Sequence, residues 1–231
     1  MSSLFERLQI VTHAVSVSGR HFGSGMPRKL LDSIQSGVLR NSYRGIPFLK
    51  SPFDVCLYMQ LISRLKPLTV IEIGTKFGGS ALWFADMLTT HGLAGRVVTV
   101  DIKPQIKFSD DRIVIREGDA RSLDKVFADG FVDSLPHPWL VVEDSAHLFD
   151  TTLAVLRFFD QKLAAGDYIV IEDGVLSYFS HARYRRYKNG PNLAVRQFLS
   201  ANAEKYAIDT ELCDHFGYNV TYNPNAWLRR R

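Results

Sequence analysis

The chain has 231 residues, 46% of them hydrophobic and 23% charged, with a formal net charge of +4, which is typical of one soluble globular domain. No apolar run is long enough to span a membrane and the N-terminus lacks a signal-peptide layout, so we expect a cytoplasmic protein with no membrane span. The two cysteines lie far apart, and the basic clusters at 181–188 and 229–231 accompany no DNA- or RNA-binding motif, so we expect neither a disulfide framework nor a nucleic-acid partner.

The first 45 residues are predicted to form a helical accessory segment. Helical patterns at about 3–15 and 28–38 flank a stretch rich in Gly and Ser. Because this segment exceeds what the following sheet needs, it is our candidate interface for a homo-oligomer. The main domain, residues 46–231, opens with a helix from about Pro52 to Lys66, which Pro67 ends.

The main domain alternates strands and helices. Strand patterns lie at 69–73, 96–101, 112–117, 139–144 and 168–173, and helical patterns at 80–90, 122–130 and 151–166 separate most of them. Near-continuous apolar strands separated by helices indicate a parallel sheet covered on both faces. After a helix at 192–205, strands at 206–212 and 216–223 are close enough for an antiparallel hairpin. This α/β layout, a mostly parallel seven-stranded sheet with a terminal antiparallel hairpin, is that of the Rossmann-like class I S-adenosylmethionine (SAM)-dependent methyltransferases.

A glycine-rich bend follows the first of these strands, in the sequence TVIEIGTKFGGS at 69–80. Its glycines, Gly74, Gly78 and Gly79, are spaced G-x-x-x-G-G, whereas a dinucleotide site needs G-x-G-x-x-G for close approach to a pyrophosphate. The carboxylate of Glu72 at the strand end would also repel a phosphate. A nucleoside without phosphates suits the bend better, and SAM is the predicted ligand.

An acidic residue ends each of the next two strands. Asp101 lies where an acid accepts hydrogen bonds from ribose hydroxyls, a spacing that suits NAD as well as SAM. Asp119 could face the adenine amino group or could instead be a helix N-cap, and both readings stay open. The predicted cofactor-binding residues are Glu72, Gly74, Thr75, Lys76, Gly79, Ser80, Asp101 and Asp119.

Carboxylates also end the fourth and fifth strands. If these strands are neighbours, Asp144, Glu172 and Asp173 converge at the sheet edge, which is costly unless one is protonated or a divalent cation binds. All-oxygen ligation favours Mg²⁺ over Zn²⁺. The predicted metal ligands are therefore Asp144, Glu172 and Asp173, and such a cation makes a substrate hydroxyl easier to deprotonate.

One histidine, His147, follows Asp144 by three residues. A lone histidine is more often structural, but this placement favours a general base, because imidazole titrates near neutral pH. Lys50 and Lys76 are candidate counter-charges for the acidic rim. We name His147 and Asp144 as the candidate catalytic residues.

Several ordered blocks of this sequence resemble one known family. They are YRGIPFLKSPFD (43–54), IEIGTKFGGSALWFAD (71–86), EDSAHLFDTTLAVLRFF (143–159), GDYIVIEDG (166–174), GPNLAVRQFL (190–199) and TYNPNAWLRR (221–230). Together they resemble the cephalosporin hydroxylase / rhamnosyl O-methyltransferase family over roughly residues 40–231. The resemblance implies a SAM- and Mg²⁺-dependent O-methyltransferase, with Glu72, Gly74 and Asp101 at SAM and Asp144, Glu172 and Asp173 at the metal. The chain departs from the pattern at Ala146, where many relatives carry an acid.

The predicted function is methyl transfer from SAM to a hydroxyl of a small natural-product or sugar substrate. The segment at about 175–192 is placed to be a substrate lid, and its tyrosines and basic residues suggest an aromatic or anionic substrate, although a basic loop without that role has the same composition. The alternatives are an NAD-dependent oxidoreductase, which the glycine spacing disfavours, and a non-catalytic SAM-binding protein, which the complete set of metal-ligand candidates disfavours.

Overall fold

The computed structural model describes residues 19–231, and the helix predicted at about 3–15 lies outside that range. The strands are β1 (Ser42–Tyr43), β2 (Ile46–Pro47), β3 (Thr69–Ile73), β4 (Arg96–Asp101), β5 (Ile113–Glu117), β6 (Trp139–Glu143), β7 (Tyr168–Ile171), β8 (Tyr206–Ile208) and β9 (Trp227–Arg230). β1 and β2 form a small antiparallel pair, and the other seven form one sheet in the order β5-β4-β3-β6-β7-β9-β8. Five neighbouring strands are parallel, and β9 is antiparallel to both β7 and β8.

Helices cover both faces of this sheet. The helices of the described residues are α1 (Arg28–Val38), which packs in a separate cluster with Leu176 and Tyr184, and α2 (Pro52–Leu65), α3 (Gly79–Thr90), α4 (Leu123–Val126), α5 (Phe149–Asp160), α6 (Gly190–Asn202) and α7 (Thr210–Cys213). Alternate residues of a strand point to opposite faces. Val70 of β3 therefore packs with α2 and α3, whereas Ile71 packs with α5 and α6. Burial on both faces explains the near-continuous apolar sequences of the central strands.

Helix α2 shows how local sequence fixes an element that reaches the cleft. The Ser51 hydroxyl accepts a hydrogen bond from the backbone N–H of Asp54, and Pro52 occupies the first turn, where its missing N–H costs nothing. Lys66 then adopts a left-handed conformation and Pro67 follows, so the helix cannot continue. The start of α2 places Lys50 beside the carboxyl ends of β6 and β7.

The C-terminal strand pair differs from its prediction in both strands. The strand predicted at 206–212 ends at Ile208, and α7 (Thr210–Cys213) follows it. The prediction of a strand at 216–223 is wrong, because that stretch is an irregular loop and the last strand is β9 at Trp227–Arg230. Buried asparagines organise the loop: Asn219 donates to the carbonyls of His21 and Gly23, and Asn225 donates to that of His21. Side chain-to-backbone bonds of this kind compete with a strand ladder. The fold class with its seven strands and antiparallel terminus is confirmed, as is the helix predicted at 28–38.

Within residues 19–231, none of the helices combines the length and the apolar character needed to cross a lipid bilayer.

Candidate active site

A cleft of about 950 Å³ opens at the carboxyl ends of β3, β4, β6 and β7. Open α/β sheets bind ligands at this edge, and the volume is at the upper end for small-molecule sites, enough for a cofactor and a second molecule. Most residues predicted from the sequence line it: Gly74, Thr75, Lys76, Gly79, Ser80, Asp101, Asp119, Asp144, His147 and Asp173. Glu72 and Glu172 are buried behind the surface of the cleft.

The bend after β3 contains glycines at which any side chain would collide with neighbouring backbone. Gly74 has φ +112°, and a Cβ there would lie 2.1 Å from the carbonyl oxygen of Asp144. A Cβ on Gly79 would lie 2.2 Å from the carbonyl oxygen of Pro47. Gly78, in the left-handed conformation, is the N-cap of α3. The bend therefore brings a helix N-terminus and closely packed backbone to the cleft, the cradle that a nucleoside cofactor requires.

Glu72 lies beneath this bend and is completely buried. One carboxylate oxygen accepts a 2.9 Å bond from Thr99, whose hydroxyl also contacts that of Thr75, while the other oxygen has no partner. Burial raises the pKa of Glu72 to about 7, against the opposing field of Lys50. Glu72 thus supports the floor of the bend through the two threonines.

Asp101 and Asp119 both reach the cleft and are both held by backbone. Asp101 accepts from the N–H groups of Lys76 and Lys103, each at 2.8 Å, which ties the end of β4 to the bend. Asp119 accepts from the N–H of Arg121, so the N-cap reading of its sequence is the one observed, and it also pairs with the Arg121 guanidinium at 2.6 Å.

Three side chains converge on one side of the cleft: Asp144, His147 and Asp173. His147 Nε2 lies 3.6 Å from Asp173 Oδ2, and His147 Nδ1 lies 4.0 Å from Asp144 Oδ1. One ligand atom of each residue lies within 4.8 Å of the others. Burial raises the pKa of Asp173, an effect that His147 opposes. Two carboxylates and an imidazole at this spacing are a donor set for a divalent cation.

Glu172, the third predicted metal ligand, is not part of that cluster. Its Oε2 accepts a 2.6 Å bond from Lys50, and its Oε1 accepts a 2.6 Å bond from Tyr58. Lys50 also donates to Asp144 Oδ2 at 2.6 Å, with only 3% of its side chain exposed. Burial alone would lower the pKa of Lys50, but Asp144 and Glu172 outweigh it and raise that pKa. Lys50 is therefore the buried counter-charge of the acidic cluster, whereas Lys76 lies over the Phe77 ring.

The backbone is strained at these positions. Lys76, His147 and Asp173 have φ values of 46°, 55° and 62°, in the left-handed region that non-glycine residues seldom adopt. Such outliers persist only where the surrounding structure determines them, and they cluster at functional sites. Here the surrounding packing includes Gly190, where a Cβ would lie 2.7 Å from the carbonyl oxygen of His147.

A family model described as Rhamnosyl O-methyltransferase/CmcI matches residues 37–231, most of the chain. The chain belongs to this family. Membership makes it a SAM-dependent O-methyltransferase and sets aside the alternative of an NAD-dependent oxidoreductase.

Individual relatives agree with the family. Rhamnosyl O-methyltransferase of Mycobacterium tuberculosis is 30% identical over 199 residues, which cover 83% of this chain and 78% of the relative. The enzyme of the same name from Mycobacterium leprae is 29% identical over 195 residues, covering 82% and 83%. A structure of CmcI with Mg and SAM has a TM-score of 0.66 and 25% identity over 84% of this chain and 77% of CmcI. A second, apo structure of CmcI has the same TM-score and identity over 95% and 89%.

Sequence reasoning found the acids and named Lys50 as a candidate counter-charge, but it missed Tyr58 and the pairing of Lys50 with Glu172. Tyr58 reads as one more apolar position of α2, and a phenol directed at a strand-end acid leaves no separate signal in a helix pattern. The pairing of Lys50 with Glu172 joins residues far apart in the chain, so only the folded structure shows that Glu172 already has partners.

Proposed function

We propose that this chain transfers a methyl group from SAM to a hydroxyl of a small sugar or natural-product acceptor, with a divalent cation, Mg²⁺, as cofactor. The observation that carries the proposal is the cluster of Asp144, His147 and Asp173 in the same cleft as the glycine bend after β3. The cluster and the bend are the two halves of such a site, one for the acceptor and one for the methyl donor.

The residues present fit both cofactors. The positions where a Cβ on Gly74 or Gly79 would collide with backbone form the cradle for SAM. Asp144 and Asp173 would hold the cation, and Glu172 could join them only if Lys50 released its carboxylate. A bound divalent cation supplies positive charge that lowers the pKa of an acceptor hydroxyl. The magnesium and SAM in the related CmcI structure support this choice.

In the proposed reaction the chain positions the reactants and moves one proton. SAM would supply the methyl group from its sulfonium, so that one C–S bond would break as one C–O bond to the acceptor is made. His147 faces the cleft between Asp144 and Asp173 and takes the acceptor proton. Lys50 donates to Asp144 Oδ2, and this bond keeps Asp144 Oδ1 directed towards His147. The names of the mycobacterial relatives support a sugar hydroxyl as acceptor.

The test is transfer of label from SAM to a panel of hydroxylated sugars and natural-product precursors, with and without Mg²⁺. Asp144→Asn should abolish Mg²⁺-stimulated transfer and leave the dissociation constant for SAM within about twofold. His147→Asn, which tolerates the left-handed backbone, should lower kcat by about 10²–10⁴-fold with Mg²⁺ affinity retained. Turnover that is unchanged by metal removal would contradict the metal role. A loss of Mg²⁺ affinity in His147→Asn would make His147 a ligand instead of the base.

A further inference from the structure

We propose that the acceptor carries an acidic group, a carboxylate or a phosphate, that Arg183 and Arg186 bind at the wall of the cleft. This inference rests on the proposed function and narrows its substrate class. Both arginines lie in a 3₁₀ helix, Ala182–Tyr187, between β7 and α6, and both line the cleft. The acceptor would be a hydroxylated ring with an acidic substituent.

The two guanidinium groups are held in place and remain available. Arg183 lies 4.7 Å over the ring of Tyr184 and donates to its hydroxyl at 2.6 Å. Arg186 lies 4.8 Å over the ring of Tyr187 and donates to its hydroxyl at 2.7 Å. Among residues 19–231, no carboxylate lies within ion-pair distance of either side chain. A guanidinium has five N–H donors, so each arginine keeps donors for an anion.

The carboxylates of the cleft disfavour an anionic acceptor unless positive charge offsets them. Asp101, Asp144 and Asp173 line the cleft and would repel it. Two of the nearby cations are already paired, because Lys50 bridges Asp144 and Glu172 and Arg121 pairs with Asp119, and a third, Lys76, lies at the glycine bend with its ammonium over the Phe77 ring. Arg183 and Arg186 therefore supply positive charge to the cleft from the segment between β7 and α6, without a carboxylate partner among residues 19–231.

The distance from the reacting groups limits the size of the acceptor. The Tyr187 ring lies edge-on to the His147 ring, with 5.4 Å between the centroids, and Arg186 covers the same tyrosine. One aromatic ring thus separates an anion on Arg186 from the proposed base. Leu148, which follows His147 in the chain and is 44% exposed, adds apolar surface to the same part of the cleft. A sugar or aromatic ring with its hydroxyl and its acidic group at opposite ends matches this spacing.

The first measurement is independent of turnover. Inorganic pyrophosphate is titrated calorimetrically into the full chain saturated with S-adenosylhomocysteine, in metal-free buffer so that the anion cannot bind through a cation. The double variant Arg183→Gln/Arg186→Gln should weaken binding about tenfold or more. Arg185→Gln is the matched control, since Arg185 is exposed in the same 3₁₀ helix and does not line the cleft, and it should bind as the unaltered chain does. No binding by the unaltered chain, or equal binding by the double variant, overturns the inference.

The second measurement compares matched acceptors with Mg²⁺ and labelled SAM. Glucose 6-phosphate and glucuronic acid are each set against methyl glucoside, which separates phosphate from carboxylate recognition. With the unaltered chain we expect faster transfer to a charged acceptor than to methyl glucoside. In the double variant the KM for the charged acceptor should rise about tenfold or more, and the KM for methyl glucoside should stay the same. Equal transfer to charged and neutral acceptors overturns the inference and leaves the methyltransferase function standing. Failure to bind SAM, or no transfer to any acceptor, counts against the proposed function, and the pyrophosphate titration still decides on the anion site.

Discussion

At the scale of single residues, Lys50 balances the charge of the acidic end of the cleft. It bridges Asp144 and Glu172 with two 2.6 Å bonds while almost fully buried. Lys50→Met should lower the free energy of unfolding by about 3–5 kcal/mol in metal-free buffer, because it leaves buried carboxylates without their cation. Mg²⁺ should then raise the melting temperature of the variant more than that of the unaltered chain, since the ion replaces the missing charge.

Lys125→Met is the control for this prediction, because Lys125 is exposed in α4. Urea unfolding of both variants, with and without Mg²⁺, measures the effect. Equal stability of the two variants would show that Lys50 does not hold the cluster. Adding Glu172→Gln to Lys50→Met should recover part of the loss, because it removes one of the unpaired charges.

Glu72 gives the fold a pH dependence of known sign. Its pKa is about 7 in the folded chain, against an ordinary value of 4.5, so the folded state holds the proton more tightly. Its contribution to stability is therefore complete below about pH 4.5 and is lost as the pH rises through about 7. Glu72→Gln should remove this dependence and be more stable than the unaltered chain at pH 8, by up to about 3 kcal/mol.

Chemical unfolding between pH 5 and 8 measures that difference, and Glu204→Gln on the surface is the control. The gap between Glu72→Gln and the unaltered chain should widen as the pH rises, while Glu204→Gln follows the unaltered chain. A gap that is constant with pH would mean that Glu72 does not titrate in this range.

At the scale of elements, two glycines in helices should respond to alanine in opposite directions. Gly37 lies inside α1 with nothing within 4 Å of a built Cβ, so Gly37→Ala should stabilise the fold by about 0.5–1 kcal/mol through helix propensity. Gly79 begins α3 against the carbonyl of Pro47, so Gly79→Ala must displace the β1–β2 pair and should cost about 1–3 kcal/mol.

Thermal unfolding compares the two variants directly, and each is the control for the other because the substitution is identical. SAM affinity should also fall in Gly79→Ala, since this glycine lines the cleft, and stay unchanged in Gly37→Ala. A stable Gly79→Ala variant with normal SAM affinity would contradict the close packing of the bend.

The elements predicted from the sequence are those whose pattern is local. β3 and β4 match their predicted ranges because a strand buried on both faces has a near-continuous apolar sequence, which is visible locally. The stretch 216–223 has β-favouring residues, but Asn219 and Asn225 donate to the backbone carbonyl of His21, which is far away in the sequence. A local sequence pattern cannot predict such long-range bonds. The hydrogen-bond partners of the site residues cannot be predicted for the same reason. The sequence places Glu172 at a strand end, but it does not show that Lys50 and Tyr58 bind its carboxylate.

At the scale of the whole molecule, the proposed division at residue 45 can be judged from what the preceding segment contacts. Phe22 is 2% exposed and belongs to the core cluster that also contains Ile71 of β3. Arg20 forms two bonds to the Asp214 carboxylate, at 2.6 and 2.9 Å. Residues 19–26 therefore pack into the methyltransferase domain, whereas the predicted homo-oligomer interface in the first 45 residues stays a prediction.

These contacts predict that the domain does not fold well without them. A chain beginning at residue 46 should be far less stable than one beginning at residue 19, because it exposes the core surface that Phe22 covers. Phe22→Ala in the full chain should by itself cost about 3–5 kcal/mol, through lost apolar burial and the cavity that remains. Circular dichroism melts of the two shortened chains, with Phe22→Ala as the point variant, measure the effect. If the chain from residue 46 melted as the chain from residue 19 does, residues 19–45 would be a separable accessory segment and the packing of Phe22 would carry no stability.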